Sequence, residues 1–146
     1  MTAPMRPQVQ PIPKQGPKVK VKKPAAKPRS YWSKRADRLW GELIHLRDKR
    51  CQFCGKGDGK LDAHHICVRT FKATRWEPDN GILVCFRCHQ DVAHGDPFTA
   101  VLHYERLRGD RYRELRELAY AGAKHSVQDL RDICARLEAA IKDVQR

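Results

Sequence analysis

Two short motifs, CQFC at residues 51–54 and CFRC at residues 85–88, constrain this chain more than any other feature of its sequence. Each CxxC turn directs two thiolates at one point, so two such turns supply the four sulfur ligands of a closed tetrahedral zinc site. Because four protein ligands leave no position for water, we expect a structural Zn²⁺ ion. Residues 55–84 separate the pairs, a longer insert than the about 15–20 residues common in zinc ribbons, so the insert carries a further element. The predicted ligands are Cys51, Cys54, Cys85 and Cys88.

The charge of the chain indicates a polyanionic partner. Lys and Arg number 30 against 17 Asp and Glu, a formal net charge of +13. Such an excess favours nucleic acid, and we expect DNA, double-stranded or branched.

The sequence has no apolar run of about 18 residues and no secretory signal, which predicts a soluble, cytoplasmic protein without a membrane partner. In that reducing compartment the cysteines predict metal binding rather than disulfides.

Residues 1–29 form a basic, Pro- and Lys-rich arm. The segment has seven of the nine prolines and no acidic residue, and it buries too little apolar surface to offset its conformational entropy, so we predict disorder. The arm would add electrostatic affinity for DNA phosphates. A solvated tail without a dedicated partner is the alternative interpretation. The lysines predicted to contact DNA are Lys14, Lys18, Lys20, Lys22, Lys23 and Lys27.

Residues 30–146 are predicted to fold as one helix-rich domain. Apolar residues at helical spacing predict a first helix from about Ser33 to Asp48. Residues 51–94 hold nearly all the Cys and His and form the metal-binding core, and residues 97–146 are predicted to be helical.

Apolar periodicity also predicts which faces of the C-terminal helices point inward. Two short helices, each ending at a glycine, are followed by a last helix that begins with a capping box at Ser126 and Asp129. The last helix has one apolar stripe that packs its own domain or forms a dimer seam, so both a monomer and a homodimer stay open. The predicted inward residues of the short helices are Phe98, Val101, Leu102, Leu115 and Leu118. The stripe consists of Val127, Leu130, Ile133, Leu137, Ile141 and Val144.

The adjacent histidines of the segment LDAHHI predict two different duties. On a β-strand, neighbouring side chains point to opposite faces, so His64 and His65 do not share one task. If the four cysteines close around zinc, Cys88 brings His89 beside the strand that holds His64. That juxtaposition predicts a second metal site, built from imidazoles and open to water and substrate.

The CxxC pairs, the DAHHI segment, Asn80 and the CxxCH junction together resemble the HNH endonucleases. The resemblance covers residues 51–94 and implies a small, helix-rich α+β domain. In such a domain a ββα-metal motif is bracketed by a treble-clef-like four-cysteine zinc site. The CxxC pairs and the AHH to CxxCH frame are similar to phage recombination nucleases of the NinG and Rap type. If a phage encodes the chain, as this resemblance implies, the expected location is the host cytoplasm.

The resemblance also implies a role for each site residue. His64 and His89 fall at the metal-ligand positions, and His65 falls at the position of the general base. Asn80 falls at the middle position, where it steadies the loop between the strands and is counted as catalytic. His94 is a further candidate ligand, although four residues separate it from His89 where three are expected.

The implied chemistry is metal-assisted hydrolysis of a DNA phosphodiester. A divalent ion neutralises charge on the phosphate while His65 activates water. The expected ion is Mg²⁺ or Mn²⁺, and Zn²⁺, Ni²⁺ or Co²⁺ would also suit imidazole ligands. Arg69 is predicted to contact a phosphate or to be a solvated loop residue, and Asp62 to orient a histidine or cap a turn.

The competing function is a non-catalytic, zinc-dependent nucleic-acid-binding protein. That function explains the charge and the cysteines but not the combination of His64, His65, Asn80 and His89. Recombination or DNA processing is the expected role, packaging and homing roles stay open, and branched DNA is one candidate substrate beside nonspecific cutting.

Overall fold

The computed structural model describes residues 25–146. Most of the predicted basic arm, including Lys14, Lys18, Lys20, Lys22 and Lys23, lies outside the described residues. Lys27 is exposed, and its Nζ lies 5.5 Å from the centre of the Tyr31 ring. The elements are α1 (Arg29–Asp48), β1 (Leu61–His65), a 3₁₀ turn (Pro78–Asn80), β2 (Gly81–Cys85), α2 (Phe86–Cys88), a π-helical turn (His89–His94), α3 (Pro97–Arg108), α4 (Asp110–Ala121) and α5 (Val127–Val144).

Helices α1 and α5 pack against each other and form the larger core. Helix α1 begins at Arg29, earlier than the predicted start near Ser33, because Trp32 packs on this core and extends the helix that Pro28 precedes. The capping box at Ser126 and Asp129 is confirmed, with both reciprocal hydrogen bonds present. The apolar stripe of α5 packs within the chain through the residues Leu130, Ile133, Leu137 and Ile141, whereas Val127 and Val144 are exposed at its ends.

Strands β1 and β2 form a two-stranded antiparallel sheet that lies between two cores. His64 is opposite Ile82, and His65 is opposite Gly81. Leu83 packs into the α1 and α5 core, whereas Ile82 and Val84 pack on the other face with residues of α3. Because directly opposite residues share a face of the sheet, His64 points towards α3 and His65 points towards α1.

The inward face of α3 differs from the prediction. Phe98 is 85% exposed and Leu102 is 66% exposed, whereas the buried residues are Ala100 and Tyr104. The large apolar residues suggested one face, but the hairpin presents the imidazole of His64 to the helix. The Tyr104 ring fills the core there, and its hydroxyl reaches that polar group. Val101 is partly buried.

Helix α4 follows the prediction in part. Leu115 is fully buried, whereas Leu118 is 38% exposed. Leu115 and Ala119 form a small third core with Cys67, with Phe71 packed against it, so this core attaches the loop after β1 to α4.

The helix-rich α+β class is therefore confirmed, with a two-stranded sheet and a four-cysteine cluster. Within residues 25–146, no helix has the length and apolar character that crossing a membrane requires.

Candidate functional site

The four predicted zinc ligands converge into one cluster, the four-cysteine cluster. All four Sγ atoms lie within 4.8 Å of one another, and Cys54 Sγ is 3.8 Å from Cys85 Sγ. A tetrahedron with Zn–S bonds of about 2.3 Å has sulfur–sulfur edges of about 3.8 Å. The Gly55 N–H donates to the Cys51 carbonyl at 2.8 Å, which closes the first CxxC turn. The donor set and its spacing fit a structural zinc ion held by Cys51, Cys54, Cys85 and Cys88.

The electrostatics of the four-cysteine cluster also suit a cation. Burial raises the pKa of Cys88, and the neighbouring sulfurs of Cys85 and Cys54 raise it further. Burial acts in the same direction on Cys51, but hydrogen bonds from the backbone of Cys54, Cys85 and Phe53 outweigh it and lower its pKa to about 7. Four thiols this close repel one another as thiolates, and a bound zinc ion removes that repulsion.

A second cluster, the three-histidine cluster, consists of His64, His89 and His94. His64 lies on β1 and is buried, and its ring centre is 5.0 Å from that of His89 and 5.3 Å from that of His94. One ring nitrogen of each histidine lies within 4.8 Å of the others. The structure thus brings together the two predicted metal ligands, His64 and His89, and the further candidate His94.

The π-helical turn explains how His94 reaches the cluster. His89 and His94 are five residues apart, a spacing that an α-helix would turn to different faces. A π-helix, in which hydrogen bonds run between residues i and i+5, aligns them, and their Nε2 atoms are 3.1 Å apart. The extra residue that the sequence places between the two histidines is accommodated by this wider turn.

His64 has a partner that the sequence did not indicate. The Tyr104 hydroxyl lies 2.9 Å from His64 Nε2, so Nδ1 is the nitrogen left for another contact. Burial, followed by the nearness of His89 and His94, lowers the pKa of His64 to about 3. The ring is therefore neutral at pH 7, which is the protonation state that metal coordination needs. Asp62 Oδ2 lies 3.8 Å from His89 Nδ1, an electrostatic contact rather than a hydrogen bond.

His65 lies on the opposite face of β1 in a different environment. Its ring stacks on Trp40 of α1, with ring centres 3.8 Å apart and an angle of 9° between the planes. His65 Nε2 lies 3.0 Å from the carbonyl oxygen of Arg75. Since a carbonyl only accepts hydrogen bonds, Nε2 carries the proton and Nδ1 keeps a free lone pair. Burial lowers the pKa of His65, so the neutral ring dominates near pH 7.

Asn80 is fully buried and ties the loop after β1 to the start of β2. Its Oδ1 accepts from the Cys67 N–H at 2.7 Å, and its Nδ2 donates to the carbonyls of Cys67 and Thr74 at 2.9 and 3.0 Å. Its own carbonyl accepts from the Ile66 N–H at 2.8 Å. All polar groups of the amide are used within the chain, so the side chain acts on the loop.

Asp37 of α1 anchors the segment that orients His65. Its carboxylate accepts from Arg75 Nη2 at 2.6 Å and from Trp76 Nε1 at 2.8 Å, and Arg69 Nη2 approaches it at 3.2 Å. Burial alone would raise the pKa of Asp37, but the hydrogen bonds from Arg75 and Trp76 outweigh it and hold the pKa below its usual value. Arg69 itself is largely exposed beside this group.

Sequence reasoning missed Tyr104, Trp40 and Asp37. Trp40 is visible only as one member of an apolar helix face, and Asp37 only as an acid within a basic helix. Neither pattern indicates a contact with the segment of residues 64–76, because those contacts join residues far apart in the chain.

The fold and the two clusters define a small, helix-rich α+β protein with one candidate structural zinc site and one separate candidate metal centre. The family model described as Bacteriophage Lambda NinG protein matches residues 8–146, and the chain belongs to this family. No curated protein and no solved structure matches the chain.

Proposed function

We propose that this protein is a metal-dependent DNA endonuclease of the HNH type. One observation carries the proposal: adjacent histidines on β1 face opposite sides of the sheet. His64 joins the three-histidine cluster, whereas His65 keeps a free Nδ1 lone pair. A cation site and a general base within one residue of each other are what hydrolysis of a phosphodiester requires. A purely DNA-binding protein has no use for this pair.

The three-histidine cluster fits a divalent ion, because its three donors are imidazoles within reach of a common centre and His64 is held neutral by burial. When bound there, such an ion supplies positive charge that stabilises the phosphate and the leaving oxygen. An all-nitrogen donor set suits Mn²⁺, Co²⁺, Ni²⁺ and Zn²⁺ better than Mg²⁺, which prefers oxygen ligands. We therefore favour Mn²⁺ over the Mg²⁺ that the resemblance also allowed.

In the proposed reaction, Nδ1 of His65 accepts a proton from a water molecule as its oxygen attacks phosphorus. The bond between phosphorus and the leaving sugar oxygen then breaks. Trp40 and the Arg75 carbonyl hold the imidazole in one orientation and one tautomer, so Nδ1 faces the water. Asn80 keeps the loop after β1 in place. Arg69 is exposed, so its guanidinium can leave the Asp37 carboxylate and bind a phosphate of the DNA instead.

Family membership and charge support a role in phage DNA processing. The NinG family match and the net charge of +13 favour a DNA substrate, and we propose branched recombination intermediates as the preferred one. A single candidate catalytic centre within residues 25–146 would nick one strand at each visit.

The test is cleavage of supercoiled plasmid and of a four-way junction with Mn²⁺, Mg²⁺ or no added ion. We expect ion-dependent cutting that falls by roughly 100-fold or more in His65→Ala, the loss typical of removing a general base. His125→Ala is a matched control, since His125 is also half-buried and its Nε2 also lies 3.1 Å from a backbone carbonyl, that of Lys72. Undiminished cutting by His65→Ala would contradict the assignment of the base. A wild type that binds DNA but never cuts would instead favour the zinc-dependent binding protein.

A further inference from the structure

A recess of about 180 Å³ lies between the loop that follows His65 and helix α4. Seven of its eight lining residues are apolar or aromatic, and Arg116 is the one charged residue among them. The lining includes Cys67, Val68, Phe71, Arg116, Ala119 and Tyr120, all in the described part of the chain.

The recess has a buried floor and an exposed aromatic rim. Cys67 and Ala119 belong to the third core, whereas Tyr120 is 74% exposed and Val68 is 53% exposed. The Tyr120 ring packs edge-on against Phe71 with ring centres 5.3 Å apart. A concave apolar surface with few, convergent polar groups is typical of a small-ligand site.

One face of α4 supplies the cationic side of the recess. Tyr112, Arg116 and Tyr120 follow one another at intervals of four residues, so they line the same side of the helix. The Arg116 guanidinium lies 5.8 Å from the centre of the Tyr112 ring. Tyr112 is buried, whereas the exposed Tyr120 supplies a ring that stacks on bases and Arg116 supplies a group that contacts phosphate.

The recess is close to the proposed general base. Val68 is three residues from His65, and because the chain spans at most about 3.6 Å per residue, their Cα atoms are within about 11 Å. Asn80 holds the backbone of Cys67 through two hydrogen bonds, and these bonds fix the Cys67 side of the recess relative to β1. A strand whose phosphate lies at His65 therefore has neighbouring nucleotides within reach of the recess.

We propose that this recess binds one unpaired nucleobase of the DNA strand beside the cleaved phosphate. The base packs on Tyr120 and Phe71, and Arg116 contacts the flanking phosphate. This inference rests on the proposed function, since it takes His65 as the point of cleavage. A second copy of the chain is disfavoured by its charge of +13, and a helix of a partner protein does not fit a volume of about 180 Å³, whereas a single flat ring does.

Binding measured without cleavage tests the proposal. Two oligonucleotide duplexes of equal length are compared, one with a single unpaired 2-aminopurine and one with that base paired, in the His65→Ala background and without added divalent ion. We expect a change in 2-aminopurine emission and a 5- to 150-fold preference for the unpaired duplex, the range typical of stacking one base on an aromatic side chain.

Tyr120→Ala should abolish the preference and Tyr120→Phe should keep it, because stacking needs the ring and not the hydroxyl. Phe98→Ala removes an aromatic ring that is even more exposed but lies outside the recess, and it should leave the preference unchanged.

Equal affinity of the parent protein for the two duplexes would overturn the proposal. An unchanged preference in Tyr120→Ala would also overturn it, and the exposed aromatic rim would then be better explained as a binding surface for a protein partner. The proposed nuclease is tested separately by plasmid cutting. If the protein prefers the unpaired duplex but cuts no plasmid, the base-binding proposal stands and the proposed nuclease activity is contradicted.

Discussion

At the scale of single residues, the Tyr104 hydroxyl is the group best placed to orient a proposed metal ligand. It is 2.9 Å from His64 Nε2, and burial raises the pKa of Tyr104 to about 12, so the hydroxyl stays protonated. Hydrogen-bond partners of this kind set the orientation and tautomer of ligating histidines.

Replacing Tyr104 by Phe should weaken cation binding while the fold is kept. Removing such a partner typically costs about 10- to 100-fold in metal affinity. Mn²⁺ binding followed by electron paramagnetic resonance measures the effect on the zinc-loaded protein. Tyr112→Phe is the matched control, because Tyr112 is also buried and its ring packs beside Tyr104. Equal Mn²⁺ affinity in the two variants would mean that Tyr104 only fills space.

Asp37 links stability to pH. Its pKa is lower in the folded protein than the value of about 3.9 expected for the unfolded chain. The stabilisation is therefore complete above that unfolded value and is lost as the pH falls through the folded pKa. At pH 7, Asp37→Asn should lower the free energy of unfolding by about 1–3 kcal/mol, the usual cost of losing hydrogen bonds to a charged group.

Urea denaturation between pH 3 and pH 7 measures this prediction. The difference between wild type and Asp37→Asn should shrink below about pH 4. Asp143→Asn, which removes an exposed pairing with Arg146, should change stability little at any pH. A difference that stays constant with pH would show that the charge of Asp37 does not stabilise the fold.

At the scale of secondary-structure elements, the contact of α1 with the hairpin is close enough to require glycine at one position. A Cβ atom at Gly81 would lie 2.5 Å from Ile44 Cδ1 and 2.6 Å from Trp40 Cζ2, both of them in buried side chains of α1. Because Trp40 also stacks on His65, this contact joins the packing of α1 to the candidate site.

A pair of glycine substitutions tests this contact. Gly81→Ala should destabilise the protein by about 1–3 kcal/mol through overpacking. Gly41→Ala, in the middle of α1 with nothing within 4 Å of the added Cβ, should stabilise it by about 0.5–1 kcal/mol. Thermal unfolding of the two variants gives the comparison, and a Gly81→Ala variant as stable as wild type would contradict the close approach.

The elements also show the limit of reading helix faces from hydropathy. The capping box and the stripe of α5 were predictable, because both depend on residues near one another in the chain. The face of α3 was predicted wrongly at Phe98 and Leu102, because Tyr104 is directed inward by His64, 40 residues earlier in the chain.

At the scale of the whole molecule, charge is expected to dominate DNA affinity. Deleting residues 1–24 removes Arg6 and five lysines. For every phosphate that these residues neutralise, the deletion should reduce the slope of log affinity against log salt by about 0.9, so the slope should fall by up to roughly 5. Affinity measured from 50 to 200 mM salt tests this, and an unchanged slope in the truncated protein would show that these residues do not bind phosphates.

The sequence by itself determined which four cysteines form the four-cysteine cluster and that His64 and His65 face opposite sides of β1. Both follow from local geometry, since a CxxC turn converges two sulfurs and a strand alternates its side chains. Only the tertiary structure decided that a π-helical turn carries His94 to His64, that Trp40 and Arg75 set the ring and tautomer of His65, and that Tyr104 faces His64. These contacts join residues distant in the chain, and their energies depend on how the elements pack rather than on any pattern within one element.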